Sequence, residues 1–191
     1  MPMTITVLRL GHRPQRDKRL STHLILCARA LGAEKVIYTG MRDTRLEEGI
    51  ANVVTEWGGS FVLEYASSHR GIIRNWDGKM VHLTMYGLQA HEAVKEVKEI
   101  DEPLLIVVGG AKVPWDVYEE ADWNVSVTTQ PHSEVSALAI FMHLFQGDAA
   151  LRHEFPGGRL RITPSHRGKN VEVEGGRRKR GSAKTKSSES T

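Results

Sequence analysis

The chain reads as an α/β protein built on a mostly parallel sheet, and three observations carry that reading. Short apolar runs rich in β-branched residues alternate with segments of helical period from Thr4 to about Gln146. The late runs each close on a small polar residue or a glycine before a helix begins, as in Leu83-Thr-Met-Tyr-Gly87 and Val107-Val-Gly-Gly110. Beyond Gly157 the pattern changes to two alternating arms about a polar turn, a β-hairpin from Leu160 to Glu174.

Thr4 to Leu10 carries Ile5, Val7 and Leu8 and predicts a strand buried on at least one face. It runs into Gly11-His-Arg-Pro-Gln-Arg-Asp-Lys-Arg19, which reads as a basic loop, and then into a helix from about Ser21 to Leu31 closed by Gly32. Glu34 to Tyr38 is a second strand, Arg45 to Trp57 an amphipathic helix stopped by Gly58-Gly59, and Phe61 to Tyr65 a third strand. Ser67 to Gly71 is a polar turn, and Ile72 to Trp76 has room for one helical turn. Lys79 to Thr84 reads as a fourth strand and Gln89 to Ile100 as a helix with Glu and Lys on its wet side. Leu104 to Val108 is a fully apolar strand. Pro114 then opens a helical turn. Val125 to Thr129 is a further strand, broken by Pro131. A helix starts near His132, capped by Ser133 or His132, with Val135, Leu138, Ala139 and Met142 on one face. The organisation is therefore an α/β body over 1–154, a hairpin extension over 155–176 and a basic, disordered arm over 177–191.

Composition narrows the function. At 191 residues with 40% hydrophobic content the chain fits one domain with a good core. No apolar run approaches the roughly 20 residues of a membrane helix, and the first residues carry no signal pattern, so a cytoplasmic protein without a membrane partner is expected. The single cysteine, Cys27, excludes an internal disulfide and a multi-cysteine zinc site. Net charge is +3, but Arg177 to Thr191 contributes +5, which leaves residues 1–176 at −2. That arm reads either as a contact to phosphate backbone or as a solubilising tail. The other basic concentration lies between Arg9 and His23, where five Lys/Arg and two His accompany one Asp. A basic segment between a buried strand and a helix suits phosphate binding.

Several chemistries are unsupported. There is no Gly-x-x-x-x-Gly-Lys-Ser/Thr around Gly109-Gly110-Ala111-Lys112, no Gly-x-Gly-x-x-Gly after the first strand, and no Gly-x-Ser-x-Gly elbow. No His, Asp or Glu group has metal-ligand spacing, so no metal is expected.

The late strand-end loops (Leu83 to Gly87, Gly109 to Val113, Val127 to Glu134) and the small-residue helix Ser136-Ala-Leu-Ala-Ile140 resemble the SPOUT class of methyltransferases. Leu8-Arg-Leu-Gly-His-Arg-Pro-Gln-Arg-Asp-Lys-Arg19, Ser21-Thr-His23 and Thr129-Gln-Pro-His-Ser-Glu134 resemble, more narrowly, the archaeal tRNA (cytidine-56) 2′-O-methyltransferase family over roughly residues 4 to 174. The resemblance implies a C-terminal deep trefoil knot, a homodimer, tRNA as substrate and S-adenosyl-L-methionine as cofactor. It implies a cofactor site formed by Leu83, then Gly109, Gly110, Ala111, Lys112 and Val113, then Val127, Thr128, Thr129, Gln130, Pro131, His132, Ser133 and Glu134. Backbone N–H and C=O groups of such loops suit the adenine edge. Glu134 and Ser136 are polar candidates near the methionine or the ribose, with helix capping as their alternative role.

The sequence departs from the common SPOUT ribose-methylase pattern at two places. Leu26 occupies the position of the usual first-helix arginine, and Glu134 stands where an asparagine is usual. For catalysis the expectation is Arg16 and Arg19 on a phosphate or the forming alkoxide, since arginine, with a pKa above about 12, is already protonated and cannot take the 2′-proton. Asp17 and His23 are the candidate proton acceptors. A SPOUT enzyme with another RNA target, or a noncatalytic RNA-binding relative, also fits the sequence taken alone.

Overall fold

The computed structural model describes residues 3–110 and 112–174 and the backbone of Lys179 and Arg180. Its main sheet has six strands in the order β3-β2-β1-β5-β4-β6, and every pairing is parallel. In sequence these are β1 (Ile5–His12), β2 (Lys35–Gly40), β3 (Val62–Tyr65), β4 (Lys79–Gln89), β5 (Leu104–Val108) and β6 (Trp123–Ser126). The connecting helices are α1 (Pro14–Ala30), α2 (Thr44–Trp57), α3 (His69–Arg74), α4 (Ala90–Val97), α5 (Trp115–Glu120) and α6 (Glu134–Gln146). The α/β class with a parallel sheet is as the alternation predicts.

Strand alternation sorts the core into two layers. Val7, Ile106 and Val81 face a large apolar layer with Leu24, Ile25 and Ala28 of α1, Ile50 of α2, Val97 of α4 and Leu138, Phe141 and Met142 of α6. Leu8, Leu105, Val107 and Met80 face a smaller layer closed by α3 and α5 through Ile72, Ile73 and Val117. A parallel strand covered on both faces must be apolar at nearly every position, which β5 is.

Several boundaries differ from the sequence reading: β6 ends at Ser126, short of the expected Thr129, α3 takes in His69 to Gly71, expected as a turn, and two further differences shape the site. α1 begins at Pro14, about two turns earlier than expected, so Arg16, Asp17 and Arg19 sit on a helix and not in a loop. Proline holds the first helical position with its fixed φ and keeps Arg13 extended (φ −129°), while Asp17 in the first turn complements the helix dipole. β4 also runs on past Thr84. Leu83 and Leu88 both pair with Val125, so residues 84–87 bulge out and the strand resumes to Gln89. Gly87 permits this return, since a Cβ there would lie 2.2 Å from the Asn124 carbonyl oxygen.

Buried polar contacts lock the helices to the strand ends. His12 Nδ1 pairs with Ser21 Oγ of α1 at 2.8 Å, and its Nε2 lies 3.4 Å from Asp43 Oδ2. Asp43 in turn caps α2, accepting from the Leu46 amide at 3.1 Å. The hairpin forms as read, β7 (Leu160–Thr163) against β8 (Asn170–Val173). Lys179 and Arg180, inside the stretch expected to be a disordered arm, add a short strand β9 to β8. The rest of that arm lies outside the described residues.

The hairpin segment is anchored to the body by Arg29. This buried guanidinium donates to the Gly58 carbonyl at 2.5 Å and lies 4.3 Å from the Phe155 ring centroid. A charge-assisted hydrogen bond and a partly desolvated cation–π contact are lost together in Arg29→Ala, which is expected to reduce unfolding free energy by about 2–4 kcal/mol. Urea denaturation measures this; a loss below about 0.5 kcal/mol would show the anchor to be incidental.

Candidate active site

Parallel strands aim their carboxyl ends at one edge of the sheet, and the two hollows that matter open there. The first, about 420 Å³, lies between the end of β4 with its bulge, the loop after β5, and the segment joining β6 to α6. That volume suits a cofactor-sized ligand. Leu83, Val113, Val125, Val127, Pro131 and Ala137 form its apolar wall. His82, Thr84, Tyr118, His132, Ser133 and Glu134 supply polar groups.

Of the expected cofactor residues, Leu83, Gly109, Gly110, Val113, Val127, Pro131, His132, Ser133 and Glu134 line this hollow. Lys112 lines the neighbouring one. Thr128, Thr129 and Gln130 line neither; they form the turn after β6, which ends at Ser126. There Thr128 Oγ1 accepts from the Gln130 amide at 3.3 Å and His132 Nδ1 meets the Gln130 carbonyl at 2.7 Å. Ala111 lies outside the described residues. The glycine pair serves the protein as well as any ligand. A Cβ on Gly109 would lie 2.4 Å from Val113 Cγ2, so its absence lets the loop fold back on itself.

The sequence reading missed His82, Tyr118 and Tyr86. His82 sits inside the fourth strand, where a buried histidine has no motif to mark it. Its Nδ1 meets Asn124 Oδ1 at 2.8 Å, and Asn124 Nδ2 donates to the Tyr118 carbonyl at 2.9 Å. The amide is thereby oriented, and His82 must carry its proton on Nδ1, which leaves a buried Nε2 as an acceptor without a partner. Tyr118 stands edge-on to His82 at 4.6 Å and shares a 3.1 Å hydrogen bond with Thr84 Oγ1.

The second hollow, about 760 Å³, lies beyond the ends of β1, β2 and β5, and Gly110 lines both. Arg13, Arg16 and Lys112 make it basic. Arg13 grips Asp17 with two hydrogen bonds at 2.7 and 3.2 Å, which holds the Asp17 carboxyl below the usual carboxylate range. Arg19 and His23 are exposed on α1 and line neither hollow. Arg9, which the sequence offers only as part of a motif, is 2% exposed. It donates to the Leu10 carbonyl at 2.6 Å, and its Nη2 lies 3.4 Å from Glu134 Oε2. Burial pushes the Glu134 carboxyl up, and Arg9 draws it back. Among the described residues no group of His, Cys, Asp and Glu could hold a metal ion.

The fold has solved counterparts. A crystal structure of an RNA 2′-O ribose methyltransferase superposes with a TM-score of 0.56 at 22% identity, covering 76% of this chain and 56% of that one. The match thus spans little more than half of the solved chain. The A. aeolicus TrmH/SpoU tRNA modifying enzyme gives 0.54 at 16% identity, covering 74% of this chain and 73% of its own. The architecture is that of the SpoU/TrmH methyltransferases. Sequence narrows it further: the profile of the family described as tRNA ribose 2′-O-methyltransferase, aTrm56, matches residues 57–172. The tRNA (cytidine(56)-2′-O)-methyltransferase of Methanobrevibacter smithii is 51% identical over 174 residues, covering 90% of this chain and 97% of that protein. Its counterpart in Thermococcus kodakarensis is 49% identical over 176 residues, covering 90% and 98%. The chain belongs to the aTrm56 family.

Burial lowers the pKa of His82 from its ordinary 6.5, with the Asn124 hydrogen bond opposing. The folded state therefore binds fewer protons than the unfolded chain, and the contribution of His82 to stability is whole above the unfolded value and declines as pH falls below it. Between about pH 7.5 and about pH 5.5 the wild-type Tm is expected to fall more than that of His82→Gln. Equal falls in the two proteins would show that His82 does not titrate on unfolding.

Proposed function

We propose that this chain transfers a methyl group from S-adenosyl-L-methionine to the 2′-oxygen of cytidine 56 in the T-loop of tRNA. One observation carries the reading beyond family membership: a cofactor-sized, largely apolar hollow and a basic groove meet at Gly110. Transfer between a small molecule and a polyanion needs two such sites in contact. The hollow also fits the cofactor chemically. It has apolar walls, backbone groups from three loops, and a buried polar atom with no hydrogen-bond partner, His82 Nε2.

Bound there, the cofactor supplies an electrophilic sulfonium methyl. The protein's part is placement. Leu83, Val113, Val127 and Pro131 would exclude water around the cofactor, and main-chain groups of Gly109, Gly110 and Val113 and of residues 131–134 would hold the adenine edge. Arg13, Arg16 and Lys112 hold the phosphates flanking the target ribose and stabilise charge growing on the 2′-oxygen. Asp17 keeps the Arg13 fork aimed. Arg19 and His23 extend the RNA-facing surface along α1, and the basic arm over 177–191 adds phosphate contacts beyond it.

The active form is a cytoplasmic homodimer. Exposed Ile140 on α6 is an apolar contact point open to a second copy. No helix among the described residues is long and apolar enough to cross a membrane. The strand order supports the trefoil knot of the class, since β5 inserts between β1 and β4 before the chain crosses to β6 on the far side of β4.

The experiment is transfer of labelled methyl from S-adenosyl-L-methionine to unmodified tRNA transcript, with digestion and mapping. A 2′-O-methylcytidine in the T-loop is expected. Cofactor binding with methyl placed on another nucleotide would replace the substrate, and no cofactor binding would end the enzyme reading. Arg16→Ala is expected to lower kcat/KM for tRNA by about 10–100-fold, with cofactor affinity intact; a matching loss of cofactor affinity would remove Arg16 from the RNA groove. Deleting residues 177–191 is expected to weaken tRNA binding and flatten its salt dependence, and an unchanged slope would make the arm inert.

A further inference from the structure

The identity of the group that takes the 2′-proton is open, and geometry narrows it to one side chain. Glu134 lines the cofactor hollow at its seam with the basic groove: a Cβ on Gly110, the residue common to both, would lie 3.4 Å from Glu134 Oε1. Its other oxygen, Oε2, is buried and hydrogen-bonds to nothing, although the Arg9 guanidinium lies 3.4 Å away. A carboxylate with unfilled acceptor capacity at the junction of two substrate sites is arranged to receive a proton. The other candidates are worse placed. Asp17 is occupied by Arg13 through both oxygens, and His23 is exposed on α1 away from both hollows.

We propose, resting on the methyl-transfer reading above, that Glu134 is a catalytic residue, the proton acceptor for the ribose 2′-hydroxyl. The 2′-oxygen forms its bond to the methyl carbon as the carbon–sulfur bond breaks. That electron pair stays on sulfur, leaving a neutral thioether, and the hydroxyl proton passes to the Glu134 carboxylate. Solvent removes the proton after product leaves. The charged groups facing Glu134 are Arg9 from β1 and Arg13 and Asp17 from α1. Burial and Asp17 raise its proton affinity above that of an exposed carboxylate, and the two arginines restrain the rise. Arg9 is a positioning residue: it holds the carboxylate from below without reaching substrate.

The test measures single-turnover methylation of unmodified tRNA by wild type, Glu134→Gln and Glu134→Asp across about pH 5 to 9, alongside calorimetric affinity for S-adenosyl-L-methionine and carboxyl-carbon NMR titration of Glu134. The wild-type rate is expected to rise through one ionisation that coincides with the NMR titration of Glu134. Glu134→Gln should lose about 10²–10³-fold in rate and the acid limb with it, while cofactor affinity stays within about threefold. Glu134→Asp should keep a limb at an intermediate rate.

A Gln variant within about threefold of wild type, or one that keeps the wild-type limb, overturns the proposal. So does a rate loss matched by lost cofactor affinity, which would make Glu134 a binding residue. Should Glu134→Gln fail to fold, the coincidence of NMR titration and kinetic limb in wild type decides, and a mismatch overturns the proposal. A wild-type chain that neither binds cofactor nor methylates RNA removes the underlying reading, and the wild-type control separates that failure from this one.

Discussion

A guanidinium buried inside a parallel sheet has to be answered by an acceptor, and much of the site follows from how Arg9 is answered. It sits on β1, the strand with neighbours on both sides and helices over both faces. Breaking a buried pair costs more than forming one gains, so whatever meets Arg9 is held there. One partner is the next carbonyl along its own strand, and the other is Glu134, at the first position of the last helix of the body. A contact between the first strand and that helix thus holds Glu134 in the wall of one hollow, beside the glycine the two hollows share.

The same strand carries a second buried polar group three residues on. His12 joins Ser21 of α1 to Asp43 at the start of α2. Serine, histidine and carboxylate in line resemble a hydrolytic triad, but Ser21 and His12 are both fully buried and Asp43 is committed to the Leu46 amide. The arrangement is a brace. It fixes the middle of α1 against the sheet, about one to two turns on from Arg13 and Arg16. A cation on a braced helix, as Arg16 is, loses little freedom when it takes up a polyanion. Opposite it, the bulge at residues 84–87 carries Tyr86, 80% exposed, near Trp115, 70% exposed, which stacks on Tyr118. The cofactor hollow therefore has a rigid basic neighbour on one side and an aromatic rim on the other.

Much of this was legible before any fold was seen. The strand and helix alternation, the hairpin about residues 164–169 and the loops after the fourth and fifth strands follow from periodicity and glycine placement, which local sterics enforce. The start of α1 was legible too and was misread. Pro14 followed by an acidic Asp17 is a helix-opening pattern, but the density of arginines made the segment look like a loop. His82 and Tyr118 were not legible, because a buried polar residue acquires its partner from a strand or helix dozens of positions away. The spread of the expected cofactor set has the same origin. The sequence presents residues 127 to 134 as one block, yet a turn at 128–130 carries three of them off the wall.

The amino-acid order alone settled the class of fold, the family resemblance and the chemistry available, since apolar period, turn residues and motif spacing are properties of neighbouring positions. It was folding that settled which cations share a groove, and which carboxylate keeps an oxygen without a hydrogen bond. Asp17 and Glu134 are both acids within the motifs, and nothing local separates them. One lies a helical turn from Arg13 and is saturated. The other is brought 125 positions along the chain to Arg9, with an oxygen that has no hydrogen-bond partner. Long-range packing distributes partners among equivalent side chains, and reactivity follows from that distribution.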